Sequence, residues 1–485
     1  MDIFHTLRAI AVEELISVAV LVLLLVAAWG GDKAARAIAI AAVAVLVGAA
    51  VLTVPLLTGG ADSLALFGHL KLDAFAAFAR LLIYVGAAVT LVVAPAWFER
   101  EGEMRAEFSL LVLLAVLGMG IMVAANDMLT LYVGLELNSL AAYVLASSAR
   151  GDGRSAEAGL KYFVLGSLAS GILLYGISLT YGFTGTTAFD GVRAALGSGS
   201  LSLGATFGVV FVLAGLAFKI SAAPFHMWTP DVYEGAPTPV TALFATAPKA
   251  AALALLMRVS LAGFGGQVAA WQQIVVFAAL LSIVIGALGA IGQDNIKRLL
   301  AYSSINNVGF MLIGLAAATP AGAAAMLVYL AIYVVSSVAA FLVVLALRDD
   351  HGRAIESISA LGGLSRTRPA LAAALAVVMF SLAGIPPLFG FWGKFLVFQA
   401  AVSAHLVVLA AIGIAASVIG AFYYLKVVKV LYFDAPTDQV QGTEPVANRV
   451  VLLASALVLS PLGYLLTRWL GALAGTAAAA LFRLA

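Results

Sequence analysis

Apolar runs of about 20 residues, separated by short stretches that hold most of the charge, follow one another along the whole 485-residue chain. Such a run is long enough to cross a bilayer as a helix, and in lipid a helix satisfies its own backbone hydrogen bonds. The chain is therefore expected to be an all-α integral membrane protein. Only 10% of its residues are charged and 64% are hydrophobic, against about 25% charged in a soluble domain. A soluble globule is excluded, and the apolar content excludes low-complexity disorder. With 26 Lys and Arg against 24 Asp and Glu, the net charge of +2 offers no basic field for nucleic acid. The partner of most of this surface is the lipid bilayer.

Charges, glycines and prolines bound fourteen candidate spans, at 13–29, 35–57, 73–95, 107–125, 128–148, 157–182, 205–225, 238–259, 270–291, 295–317, 322–347, 369–402, 405–432 and 447–470. Cytoplasmic loops concentrate Lys and Arg. Loops after odd-numbered spans hold fifteen of the 26 basic residues, whereas both ends and the other loops hold six. That bias sets the odd loops in the cytoplasm and both termini outside, as an even number of spans requires. The first apolar run, 15–29, follows Asp2, Arg8, Glu13 and Glu14 and precedes Lys33 and Arg36. A secretory signal carries its positive charge in front, so this run is read as a retained helix.

The chain has no cysteine, which removes disulfides, thiolate nucleophiles and cysteine-held iron–sulfur clusters. Redox chemistry, if any, belongs to another polypeptide. His5, His69, His226, His351 and His405 lack metal-ligand spacing, so no haem or zinc site is expected.

Two spans are interrupted by proline: the seventh at Pro224 and the twelfth at Pro386 and Pro387, 162 residues apart. Spans 4–8 and 9–13 read as two copies of a five-helix unit. Asn126-Asp127-Met128 opens span 5 as Asp294-Asn295-Ile296 opens span 10, and Asn138 falls opposite Asn306. Five is odd, so the copies enter the membrane from opposite sides, the inverted-repeat plan in which broken helices mark ion sites. The expected organisation is three N-terminal helices (1–105), a first repeat (106–260), a second repeat (261–433), and a fourteenth helix with its tail (434–485). A single proline break is an ordinary kink; two at matched positions, each with a lysine nearby, point to a site.

Four charges lie deep in the spans. Glu136 is about nine residues into span 5, hence about 13 Å deep. Lys219 precedes the Pro224 break, Lys249 lies midway along span 8, and Lys394 follows the second break. A charge at the bilayer centre costs about 2.5–3.5 kcal/mol on the lenient scale, so four cost on the order of 10 kcal/mol. Each alone reads as a structural ion pair. Three lysines and one carboxylate do not neutralise pairwise, however, which favours lysines that release a proton. Desolvation loosens a lysine's proton, a nearby carboxylate tightens it, and arginine cannot take part because it stays protonated. Movement of Glu136 relative to Lys219 would switch that lysine, and Lys219, Lys249 and Lys394 would relay protons along the mid-plane through Ser, Thr, Tyr and water.

The remaining charges carry less. Arg80 is expected to face Asp73 and snorkel to the interface. Glu157 and Lys161 have the favourable i, i+4 order, either as a surface pair or as a contact for a neighbouring subunit's carboxylates. His226 either feeds protons from the cytoplasm or makes a structural hydrogen bond. His405 lies at a short outer loop, with proton exit or no role equally open.

At these residues the sequence resembles the antiporter-like membrane subunits of respiratory complex I, shared with multisubunit sodium/proton antiporters and membrane-bound hydrogenases. The segment from Ala223-Pro224-Phe225-His226-Met227-Trp228 to Tyr233-Glu234-Gly235-Ala236-Pro237, with the lysine in span 12, is similar to the N-type branch rather than the L or M type. The resemblance implies proton translocation from the cytoplasm to the outside. It assigns Glu136, Lys219, Lys249 and Lys394 to the family's charged positions. It also implies no cofactor in this chain, with flavin, iron–sulfur clusters and quinone in partner subunits. The implied partners are an adjacent antiporter-like subunit and small quinone-side membrane subunits, in a bacterial inner membrane. The competing reading is a subunit of a cation/proton antiporter not driven by redox chemistry, which the lack of an intramembrane Asp pair for sodium weakens.

Overall fold

A computed structural model of the chain describes residues 10–58, 63–197, 199–437, 440 and 445–483. Asp2, His5 and Arg8, and with them the expected flank of the first helix, lie outside the described residues. Among the described residues the architecture is helical, with one small hairpin of Ser63–Ala65 and Leu70–Leu72 before the third helix. The stretch lies between the predicted spans 35–57 and 73–95. Leu70 and Leu72 are buried, and a buried extended segment requires a backbone partner.

The helices, in order, are α1 (Ala11–Gly30), α2 (Ala35–Thr53), α3 (Ala74–Glu101), α4 (Glu107–Ala124), α5 (Met128–Ala146), α6 (Gly153–Thr184), α7 (Phe189–Leu196), α8 (Leu203–Lys219), α9 (Trp228–Gly235) and α10 (Thr238–Phe244). They continue with α11 (Ala247–Arg258), α12 (Val268–Ile291), α13 (Ile296–Ala316), α14 (Pro320–Ala346), α15 (Pro369–Ala383), α16 (Phe389–Ser403), α17 (Val407–Phe433), α18 (Val446–Leu459) and α19 (Thr467–Leu481). Among the described residues, ten segments are long and apolar enough to cross a membrane, or eleven if α18 and α19, bent by 71°, form one span. That number takes 11–58 as one segment and leaves out α8 and α15, both shortened by the proline breaks.

Burial sorts the helices. α13 and α14 are almost wholly enclosed, whereas α1, α2, α6 and α17 turn large apolar side chains outward, as lipid-facing helices do. Polar residues on α13 and α14 therefore sit where lipid cannot reach them.

Local chemistry fixes the helix that carries Glu136. Asp127 caps α5, accepting from the backbone N–H groups of Leu129 at 2.8 Å and Thr130 at 3.1 Å. Gly118 of α4 faces Gly134 and Asn138 of α5 so closely that a Cβ on Gly118 would meet Asn138 N at 2.6 Å. Small residues let membrane helices approach in this way. The same contact recurs where Gly286 of α12 meets Asn306 of α13, with a Cβ on Gly286 reaching Asn306 N at 2.5 Å.

Candidate functional site

Both expected breaks are present. α8 ends at Lys219, and a non-helical turn with Ser221 at φ 63° leads through Pro224 to α9. α15 ends at Ala383, Gly384 follows at φ 78°, and Pro386 and Pro387 lie before α16. A third break was missed. Span 8 was expected to be continuous around Lys249, but α10 stops at Phe244 and α11 starts at Ala247, with Thr246 far from helical geometry and Pro248 in the first turn. Pro248 was the available signal, since proline favours the first turn of a helix and not its middle. Lys249 therefore belongs to the first turn of a helix, not to its centre.

Lys219 donates from Nζ to Ser139 Oγ at 2.8 Å and to Tyr143 OH at 3.4 Å, both on α5. Tyr143 packs edge-on against Tyr162, which stacks on Trp228 at 4.5 Å between centroids. The Trp228 indole donates to the Phe218 carbonyl at 3.0 Å. This aromatic chain ties the end of α8 to the start of α9, and so holds Lys219 against α5. Glu136 lies one turn before Ser139. Its Oε1 is buried without a hydrogen-bond partner, and no ion pair joins it to Lys219 among the described residues. Glu136 itself is half-buried, so its unpaired oxygen bears a desolvation cost that a positive charge nearby would offset.

Lys249 is buried and donates from Nζ to Ser304 Oγ on α13 and, at 3.4 Å, to Ser221 Oγ in the first break. Ser304 Oγ also accepts from Tyr333 OH of α14 at 2.7 Å. Lys394 donates to the Ala383 carbonyl at 2.9 Å and to Ser417 Oγ at 3.2 Å, with its Nζ 4.4 Å from the centroid of Phe310. The Ala383 carbonyl is one that the break frees from its helix. Beside Lys394, α15–α17 line an open, mostly apolar groove of about 640 Å³. Each of the three lysines thus lies beside a helix break and bonds neutral oxygens rather than a carboxylate. Near neutral partners a lysine gains hydrogen bonds without the charge pairing that would lock its proton in place.

Six neutral residues of this site were not singled out from the sequence: Ser139, Tyr143, Ser221, Ser304, Tyr333 and Ser417. Nothing in the chain order marks them, because isolated Ser, Asn and Tyr are common in membrane helices.

The expected Glu157–Lys161 pair forms, at 2.7 Å, but Lys161 is shared with Asp231 of α9 at 2.8 Å. Asp231 and Glu234 of α9 also bind Arg298, at 2.7 and 2.9 Å, and Glu356 binds Arg154 at 2.9 Å and Lys297 at 3.2 Å. One ionic network therefore joins α6, α9, the start of α13 and the loop after α14. Burial pushes the Asp231 carboxyl up, and Lys161 and Arg298 outweigh it, holding it below the usual carboxylate range. Burial likewise raises Glu356, and Lys297, Arg154 and Asn295 together hold it below that range. His226 is half-buried, with Nδ1 lacking a partner among the described residues, and His405 is exposed at φ 61°.

Arg80 does not behave as expected. It is fully buried, pairing with Glu13 of α1 and donating to the Gly120 carbonyl at 3.3 Å. Asp73 instead caps α3 and forms a two-point pair with Arg258 of α11, at 2.8 and 3.0 Å. A planar guanidinium matches a carboxylate with two parallel bonds, and the partner comes from another helix rather than from two turns along the same one. Among the described residues, no three His, Cys, Asp or Glu side chains converge as metal ligands.

Residues 125–420 match the family described as "NADH:quinone oxidoreductase/Mrp antiporter, TM". The chain is 64% identical to NADH-quinone oxidoreductase subunit N of Erythrobacter litoralis, over 99% of both chains. It is 57% identical to the protein of that name from Sphingopyxis alaskensis, over 97% of this chain and 98% of the relative. Among solved structures, a chain of respiratory complex I from Thermus thermophilus with bound aureothin superposes with a TM-score of 0.81 at 35% identity, covering 96% of this chain and 99% of the other. A chain of the Mrp complex from a Dietzia species superposes with a TM-score of 0.85 at 26% identity, covering 98% of each.

Proposed function

Because the chain belongs to the NADH:quinone oxidoreductase/Mrp antiporter membrane family, we propose that it is the N-type subunit of a bacterial complex I and translocates protons from the cytoplasm to the outside. The observation that carries this reading is the set of three lysines inside the helical bundle, Lys219 half-buried and Lys249 and Lys394 buried, each at a helix break and each bonded to neutral oxygens. Glu136, with its unpartnered oxygen, is the switch. As its carboxylate nears Lys219 the lysine holds a proton, and as it withdraws the proton passes toward Lys249 through Ser and Tyr hydroxyls. Lys394 then delivers it to the outer half of the membrane.

Fourteen spans and an inverted repeat remain part of this reading. Their support is a matched backbone pattern. Met128 N donates to Thr187 O at 2.9 Å and Phe189 N to Asn126 O at 3.1 Å, while Ile296 N donates to Glu356 O and Ile358 N to Asp294 O, both at 2.8 Å. The start of α5 is thus tied to the loop after α6 as the start of α13 is tied to the loop after α14. The division at residues 105, 260 and 433 follows from that repeat, as do two termini outside an inner membrane.

Flavin, iron–sulfur clusters and quinone would reside in partner subunits. An adjacent antiporter-like subunit and small quinone-side membrane subunits would be its partners, with a neighbour's carboxylates meeting Lys161 beside Glu157. The antiporter reading draws support from the likeness to the Mrp chain, and full-length identity to subunits named N favours the redox-driven reading. Purification in the native membrane decides between them: a large assembly with flavin and iron–sulfur absorbance is expected. Proton-coupled cation exchange by the chain in an assembly without those chromophores would overturn the proposal.

A further inference from the structure

Between Lys249 and Lys394 the enclosed helices α13 and α14 and the inner face of α17 hold a second polar cluster. Asn307 stands at its centre. One amide hydrogen goes to the Ser303 carbonyl at 2.8 Å and the other to Tyr424 OH at 3.1 Å, while Oδ1 accepts from Tyr329 OH at 2.8 Å. Tyr424 OH in turn lies 2.6 Å from Ser303 Oγ. All four side chains are buried. The orientation of the amide is fixed, because the Ser303 carbonyl only accepts and must therefore face the NH₂ group.

On one side of this cluster Ser304, next in sequence to Ser303, holds Lys249. On the other, the ring of Tyr329 presses on Gly393, where a Cβ would meet it at 2.8 Å, and Gly393 precedes Lys394. The cluster thus stands on the way from one lysine to the other. A hydroxyl or a water passes a proton by accepting one while giving another. A carboxamide has no proton that it can exchange in this way, since its two N–H bonds stay intact and its oxygen only accepts. With every polar atom of Asn307 engaged, the hydroxyls on its two sides do not exchange a proton through it.

Resting on the proton-translocating reading above, we propose that Asn307 is a gate: a positioning residue that insulates the Lys249 side from the Lys394 side until its amide turns away and water takes its place. The proton then moves between the hydroxyls of Tyr424 and Tyr329 through that water, with no bond to Asn307 made or broken. Closed, the gate keeps the inner and outer half-channels from joining into a leak.

The test uses sealed vesicles bearing the whole assembled complex, with two readouts: passive proton permeability without NADH, and protons moved per NADH oxidised. Asn307→Ser puts a small relaying hydroxyl at the gate. It is expected to keep NADH oxidation while passive permeability rises severalfold and protons per NADH fall. Asn307→Leu fills the same space with an apolar group and is expected to cut pumping severalfold with no added leak. If Asn307→Ser fails to assemble, Asn307→Thr brings the same relaying hydroxyl at a size closer to that of asparagine, and the same leak is expected. Wild-type tightness and stoichiometry in Asn307→Ser, or in Asn307→Thr where it replaces that variant, overturn the gate, as does wild-type pumping in Asn307→Leu. Lys219→Met, measured in parallel, separates the two ideas. Its loss of pumping beside unaffected Asn307 variants sinks the gate alone, and normal pumping in Lys219→Met sinks the reading beneath it.

Discussion

Arg258 and Asp73 meet as a charged pair with almost no exposed surface, and neither can be lost without stranding the other. Breaking one partner of a buried pair costs about 3–5 kcal/mol, largely from the uncompensated charge left behind. Arg258→Met is therefore expected to lower the unfolding temperature of the purified complex strongly, and Arg258→Met combined with Asp73→Asn to lower it less. Equal losses in the two would contradict that origin. Glu136, Lys219, Lys249 and Lys394 were legible in the sequence because a charge inside an apolar run is rare and expensive. Their partners were not: Ser139, Ser304 and Ser417 come to the lysines from other helices, and only packing selects them. Arg80 was misassigned for a related reason. Sequence spacing offered Asp73 on its own helix, whereas the fold turns Arg80 toward Glu13 and Asp73 toward Arg258.

At the scale of the element, the breaks at Pro224 and Pro386 are readable because they recur 162 residues apart, whereas Pro248 has no such counterpart to mark the break before Lys249. Thr246 and Pro248 lie in an otherwise helical run, and proline is tolerated in membrane helices. Gly390 shows how tightly a break is built: a Cβ there would meet the Ser381 carbonyl at 1.9 Å. Gly390→Ala is expected to push α16 off α15, shift Lys394 and cut pumping severalfold, whereas pumping at the wild-type rate would show that the break is slack. The ionic network around α9 makes a different prediction. Asp231 and Glu356 are held below their ordinary carboxylate range, so their stabilisation is full above the unfolded value near about pH 4 and shrinks as pH falls toward the folded values. Thermal unfolding measured across that acid limb is expected to fall less steeply in Asp231→Asn than in the wild type. An unchanged acid limb would remove the network from the stability of this face.

For the whole molecule, the inverted repeat proposed above demands that the loop after α7 and the loop after α14 lie on opposite sides of the membrane, five spans apart. The chain has no cysteine of its own, so single introduced cysteines report cleanly. A membrane-impermeant maleimide is expected to label Ser200→Cys from outside and Asp350→Cys from the cytoplasm, both positions being exposed. Labelling of both from one side would contradict the topology. The central claim is that Glu136 and the lysines move protons rather than merely hold helices together. It is tested most directly by the number of protons moved per NADH oxidised in assembled complexes carrying Glu136→Gln or Lys219→Met. The account predicts a severe loss of pumping with assembly intact; pumping at the wild-type ratio in either variant would contradict it.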